Sequence, residues 1–524
     1  MRGRLLVPAL LAAGLPALAQ APGGPASPTA SWFAEARRHL DGGRPDAARA
    51  AIERHLAQVP GDGHAHYLLG VVHERRRDAA AARDAYEAAL RLDPTLALAH
   101  DRLGFLLGQA GRTDDAIAHF REAARLDPAL FDAQYHLGAT LWWTKRPAEA
   151  RPALEAAVAL APRHPEARYY LGLVLRQQGD VAAAVKHLRE AVRLAPTLAV
   201  AHDQLGAALL AWGDEEGALA VLRRAVELDP SSADAANNLG LALMQKGAAE
   251  EAVRTFRGLV ERAPDFTTAR HNLGSALMQA GDLEGAVAVY RELVGRDPTS
   301  AEAHYNLGLA LKQKDDFGAA EESLRKAMAL DPVLPEPPYT LAVVLWQTGR
   351  GEAAAPLLRE ALSRKADYAE AHYLLGTMLR QQSRADEALE SFREAIRHQP
   401  ASAEAWLGIG QVLTQRKDAE GAARAFGEAD RINRGKADHQ ASRVAFAAGL
   451  QKLEAKDPAG ALGQLEEAVR LDPGNAAAHH RLGLVLRGRG ETAEAERHLA
   501  EARRLAPWLA AAEGEDGGAA AVRR

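Results

Sequence analysis

Three asparagines recur 34 residues apart, at Asn238, Asn272 and Asn306, and each is followed seven residues later by a glutamine, at Gln245, Gln279 and Gln313. An amide side chain both donates and accepts hydrogen bonds. Amides at a fixed interval therefore suit a peptide backbone, which offers both groups whatever its sequence. Tyrosine keeps the same interval at Tyr305 and Tyr339, and Trp142, Trp143 and Trp346 add large rings with one donor each. Met244 and Met278, beside two of the glutamines, supply an adaptable apolar wall. Aromatic anchors with amides nearby are the composition of a protein-binding surface.

Reactive chemistry is harder to place. The chain has no cysteine, hence no disulfide framework, thiol nucleophile or thiolate metal site. It has no phosphate loop, no dinucleotide fingerprint and no His-Glu-x-x-His. His66, His100, His202, His304, His372 and His479 share one register, which predicts packing between repeats. Neighbours in that register, roughly 10 Å or more apart by helix-packing distances, cannot share a metal. His64 with His66, and His479 with His480, read as surface placement. A net charge of -5 gives no electrostatic case for nucleic acid, and Arg75-Arg76-Arg77 is short enough to be a solvated helix end. The expectation is a protein or peptide partner, no cofactor, no metal and no enzyme activity.

The interval of 34 belongs to the whole chain. In Ala301–Leu334 the frame is Leu307, Gly308, Leu311, Ala320, Leu324, Ala327 and Pro332. Pro60, Pro94, Pro128, Pro162, Pro196, Pro230, Pro264 and Pro298 repeat its last member. Apolar residues at helical spacing from Glu302 to Lys314 predict a helix A. A turn follows at Asp315-Asp316, where other copies carry Gly111, Gly179, Gly247, Gly281 or Gly349. Ala319, Ala320, Leu324, Ala327 and Met328 predict helix B, and Asp331-Pro332 ends it. The small frame residues let the two helices approach, and the leucines fill the space around them. One hairpin cannot bury its apolar face alone, so the copies must stack into a solenoid.

This frame resembles the tetratricopeptide repeat, down to an early tryptophan, Trp32, in the first copy. Fourteen copies are expected: twelve across residues 29–436, then 442–475 and 476–509. The resemblance implies an all-α, right-handed superhelical solenoid with helices A lining a concave groove. It also implies that frame positions two, five, six, nine, twelve and thirteen face that groove. Tyr305 and Tyr339 then stand at position five, the three asparagines at six, the glutamines at thirteen, and the tryptophans at twelve and thirteen. Tyrosine at five and asparagine at six are also common in the family's consensus. Acidic residues at position two, such as Glu302, suit the helix dipole. Some family members grip a partner's C-terminal carboxylate with lysine at five and asparagine at nine; neither occurs here, so that mode is not expected.

The array's departures carry their own expectations. Repeat 335–368 opens with Pro335, Pro337 and Pro338 and has Ala342 in place of glycine, which predicts a delayed start to its helix A. Pro152 and Pro356, early in helices B, invite the same reading. Residues 437–441 break the phase, which predicts a longer helix A starting near Asp438. Arg2, Arg4, the apolar run Leu5–Leu18 and Ala17-Leu18-Ala19 form a secretory signal peptide over residues 1–19, cleaved after Ala19. Residues 20–28 read as a linker, residues 510–524 as a disordered tail, and Trp508 as packing on the last helix pair. No later run is long enough to span a membrane.

Together these readings predict a non-enzymatic scaffold of a periplasmic or secreted compartment, binding an extended peptide or protein in its groove. Similar arrays serve envelope assembly, secretion or polysaccharide export. The alternative is a detached recognition subunit, because the asparagine run resembles the repeat region of the peptide O-linked N-acetylglucosamine transferases. Those proteins carry a glycosyltransferase domain after their repeats, and no such domain is read here.

Overall fold

The computed structural model describes residues 29–507, and the expectations for residues 1–28 and 508–524 lie outside them. Among the described residues there are 27 helices and no strand. They fall into two compact units divided after Ala211. Within each unit the chain is an all-α array of antiparallel helix pairs. No helix among the described residues is long and apolar enough to cross a membrane.

The unit of Ala301–Leu334 shows how the frame works. Helix A is Ala301–Gln313 and helix B is Phe317–Leu330. Ala320, Leu324 and Ala327 are fully buried, and Leu307 and Leu311 nearly so. A Cβ added at Gly308 would stand 2.7 Å from Leu324 Cγ, closer than real Cβ contacts come. At Gly240 the obstacle is the Phe256 ring, at 2.4 Å. The frame's glycine is therefore a demand of packing: the side chain of helix B occupies the place of its missing Cβ. The turn between the helices takes a left-handed residue, Gly281 in one repeat (φ 81°) and Asp315 in the next (φ 61°). Asp316 then caps helix B by accepting from the Ala319 N–H.

The histidine register does something other than pack one repeat on the next. His66, His100, His202, His304 and His479 each place Nε2 3.0–3.2 Å from the carbonyl of the loop proline six residues earlier. His372 does the same with Ala366, at 3.0 Å. Each histidine thus pins the loop entering its own repeat. Trp406 makes the same bond to Pro400, so the position selects any donor of the right reach.

Repeat 335–368 starts its helix A at Glu336, one residue late, as its prolines predict. The prolines in helices B behave differently. Pro152 lies inside a full-length helix, Pro147–Leu160, and Pro356 inside Gly351–Arg364. Neither delays its helix: each stands at the sixth helical position, and the helix accepts the loss of one backbone donor.

The phase break is resolved by fusion. Helix B of the twelfth repeat and helix A of the thirteenth are one 36-residue helix, Ala419–Glu454. The expected new start near Asp438 does not occur. Arg434 stands where the frame has proline, and Gly435–Ala441 contain no stop strong enough to replace it. Residues 433–441 are exposed all round, with Ile432 and Ser442 the buried residues on either side.

Candidate functional site

Helices A have one buried face and one open face. In Ala301–Gln313, His304, Leu307, Gly308, Ala310 and Leu311 are buried, Tyr305, Asn306 and Lys312 are half-buried, and Glu302 and Gln313 are exposed. Leu309 is half-buried as well, so the open face carries positions two, five, six, nine, twelve and thirteen. In the second unit this face runs over consecutive helices and brings together Asn238, Asn272, Asn306, Gln245, Gln279, Gln313, Tyr305, Tyr339 and Trp346. Trp142 and Trp143 belong to the first unit.

The asparagines are half-buried and engaged with their neighbours. Asn272 Nδ2 donates to Asn237 Oδ1 at 2.8 Å, and Asn306 Nδ2 lies 3.5 Å from His271 Nδ1. Both bonds join position six of one repeat to position five of the repeat before, 35 residues away. In the first unit the same step joins His136 Nδ1 to Asp101 Oδ1 at 2.8 Å, with both side chains buried. Position six is thus a rung between neighbouring helices A. Asn272 and Asn306 each spend one donor on the rung, and an amide has a second donor and an acceptor besides. Gln245, Gln279 and Gln313 are exposed, and Gln279 donates to the Met244 carbonyl at the end of the preceding helix A.

Tyr305 and Tyr339 are held neutral. Burial raises the Tyr305 hydroxyl above its ordinary range, opposed by a hydrogen bond with Thr340. Burial raises Tyr339 too, helped by the Glu370 carboxylate. The Tyr339 ring lies 4.7 Å from the Tyr368 ring, and the Lys365 ammonium sits 4.9 Å from the Tyr368 ring centre. Sequence reasoning missed Tyr368, because it occupies the loop before helix A rather than a groove position.

Trp346 is half-buried in a cleft of about 780 Å³ between the A–B turns of two successive repeats. Met378, Gln381 and Gln382 form one side, and Arg350, Gly351 and Glu352 the other. A Cβ at Gly351 would come within 3.2 Å of the indole. Arg350 is fixed from behind by Glu321, at 2.8 Å. The cleft thus joins an aromatic face, a thioether and two amides on a braced wall.

In the first unit, Trp142 packs against the core and Trp143 is 51% exposed, its Nε1 3.4 Å from the Tyr170 hydroxyl. Beneath Trp143 lies a cluster of rings in which Tyr135 and Tyr170 are buried: the Phe131 ring stands 5.7 Å from Tyr135 and 4.7 Å from His164, and Tyr135 stands 6.1 Å from Tyr170. Tyr86 donates to Glu74 Oε2 at 2.5 Å. Burial pushes the Glu74 carboxyl up, against the pull of Arg102 and of that hydrogen bond. Burial also pushes Tyr67 up to about 12.

Tetratricopeptide-repeat models match residues 33–97 and 144–199, 107–169 and 452–508, and 209–247. The chain is a tetratricopeptide-repeat protein. A model described as the C-terminal domain of cilia and flagella-associated protein 70 also matches residues 231–445 of this repeat protein. No curated protein matches it. Among solved structures it is similar to MamA, at 27% identity over 32% of this chain and 96% of that one, with a TM-score of 0.30. It is similar to YrrB, described as a TPR protein with an unusual peptide-binding site, at 26% identity over 36% and 97%, TM-score 0.33. Yeast Tom70 shares 15% identity over 75% and 96%, TM-score 0.41.

Proposed function

We propose that the repeat protein is a non-catalytic scaffold that binds an extended peptide segment of a protein partner along helices A of the second unit. The observation that carries this reading is the Trp346 cleft. It is open and braced, and it is lined by the residue types that anchor peptides: an indole, a methionine and paired amides. Tyr305 and Tyr339 continue the same face with rings that keep their protons. Gln381 and Gln382, amides that face solvent, line the cleft itself. The asparagine rungs give the track its rigidity and offer the peptide their remaining capacity.

The test is selection of linear peptides from a random library on the full chain, followed by affinity measurement on Trp346→Ala. Losses of at least tenfold, with helicity unchanged, support the reading. Selected peptides that bind the variant as tightly as the parent overturn it.

We further propose that the scaffold works in an exported compartment. The basic start, apolar run and Ala17-Leu18-Ala19 support this. Intact mass of the mature chain should begin at Gln20, and a full-length chain in the cytoplasm would count against export.

A further inference from the structure

We propose that the repeat 369–402 holds a divalent transition-metal ion between its two helices, on His372, Glu394 and His398. Their ligand atoms all lie within 4.8 Å of one another. Glu394 and His398 are one turn apart on helix B, Ala385–His398, with Oε2 and Nε2 3.5 Å apart. That matches the edge of a tetrahedron of donors about 2.0–2.2 Å from zinc, which is roughly 3.3–3.6 Å. His372 reaches across from helix A, Ala369–Gln381, its ring 6.0 Å from the His398 ring and inclined by 19°.

The second support is the state in which His372 is held. Its Nε2 lies 3.0 Å from the Ala366 carbonyl, which can only accept, so the proton sits on Nε2 and Nδ1 keeps its lone pair. The whole register makes this bond, and at His372 it serves as the outer partner that a metal-bound imidazole keeps, leaving Nδ1 toward the cluster. Two other repeats pair histidines across their helices, and the comparison separates them. His100 and His119, and likewise His479 and His498, approach Nδ1 to Nδ1 at 2.9 Å, so that the Nδ1 lone pair of His100 or His479 is taken by the partner's N–H. His372 and His398 share no such bond, and a carboxylate completes their set. Arg397 Nη1 stands 3.0 Å from Glu394 Oε2, but it is 70% exposed, so a divalent cation displaces it cheaply.

Two imidazoles and one carboxylate suit zinc, and three protein ligands leave a coordination position open to water or to a partner's side chain. Bound there, the ion ties helix A to helix B of one repeat.

Zinc is the probe. Titrated into the full chain against a chromogenic chelator, it should bind one tight site. His398→Ala and Glu394→Gln should each weaken that site by at least about tenfold. His66→Ala, which removes a histidine of the same register as His372 but outside the cluster, should leave it unchanged. Zinc should raise the melting temperature of the parent and not of His398→Ala, because binding to the native state alone stabilises it. His398 makes no bond to the loop, so its loss does not threaten the fold. A parent chain that shows no site tighter than the chelator detects overturns the proposal. So does zinc affinity that survives both His398→Ala and Glu394→Gln.

Discussion

The amide of Asn272 donates to the Asn237 carbonyl oxygen at 2.8 Å, one repeat and one residue back along the chain. The same step joins His136 to Asp101 and Asn306 to His271. Neighbouring helices A are therefore tied by side chains as well as by packing. Asn272→Ala should lower stability by about 0.5–1.5 kcal/mol, the worth of one hydrogen bond. Chemical denaturation of the single variant and of Asn237→Ala,Asn272→Ala checks it: the double variant should cost little more than the single, because both remove one bond.

Filling the cleft from its floor should mimic removal of the tryptophan. Gly351→Val adds a branched side chain where even a Cβ would sit 3.2 Å from the indole. It should displace Trp346 and weaken selected peptides at least tenfold, about 1.4 kcal/mol. Tryptophan fluorescence read beside affinity would show whether the indole moved.

Among the described residues six turns hold a non-glycine residue in the left-handed region, including Ser383 (φ 60°) and Lys417 (φ 64°). A side chain there costs about 1–2 kcal/mol, partly offset by the entropy that glycine would lose on folding. Ser383→Gly and Lys417→Gly should each stabilise by about 0.5–1 kcal/mol. The converse, Gly281→Ala, should destabilise by about 1–2 kcal/mol. Thermal melts of the three variants suffice.

The paired histidines predict a pH dependence. Burial, and then the neighbouring His100, hold His119 below the ordinary histidine value; burial and His479 do the same to His498. A histidine depressed in the folded state takes up fewer protons than it does unfolded, so stability falls as pH drops through the unfolded value near 6.5. Melting temperature should therefore decline between about pH 7 and pH 5. His119→Gln,His498→Gln should flatten that decline. A slope identical to the parent's would refute it.

Much of this was legible in the chain itself. Period, helix bounds, left-handed turns and the close approach of Gly308 to Leu324 all follow from residue types that repeat, because repetition averages away local accident. The site was less legible. Asn272 and Asn306 stand at the positions expected of them, yet their partners, Asn237 and His271, were invisible because the bond joins two repeats one residue out of register. His372 was weighed only against histidines one interval away. The short helical step from Glu394 to His398, facing His372 within one repeat, was the signal to follow. Fusion of Ala419–Glu454 was foreshadowed by Arg434 in place of proline, a missing stop that outweighs the inserted residues after it.

That fused helix also acts as a ruler. Everywhere else in the second unit a loop separates a helix B from the next helix A; here the next helix A continues the same helix without a turn. The row of open faces that starts at Ala233–Gln245 then ends at Ala403–Gln415, the sixth helix A and five steps later. At 8–10 Å per step the row is roughly 40–50 Å long, enough for about 12–15 residues of extended chain. A partner would then be measured as well as read: segments shorter than this would forfeit contacts in proportion, and longer ones would gain nothing from their excess.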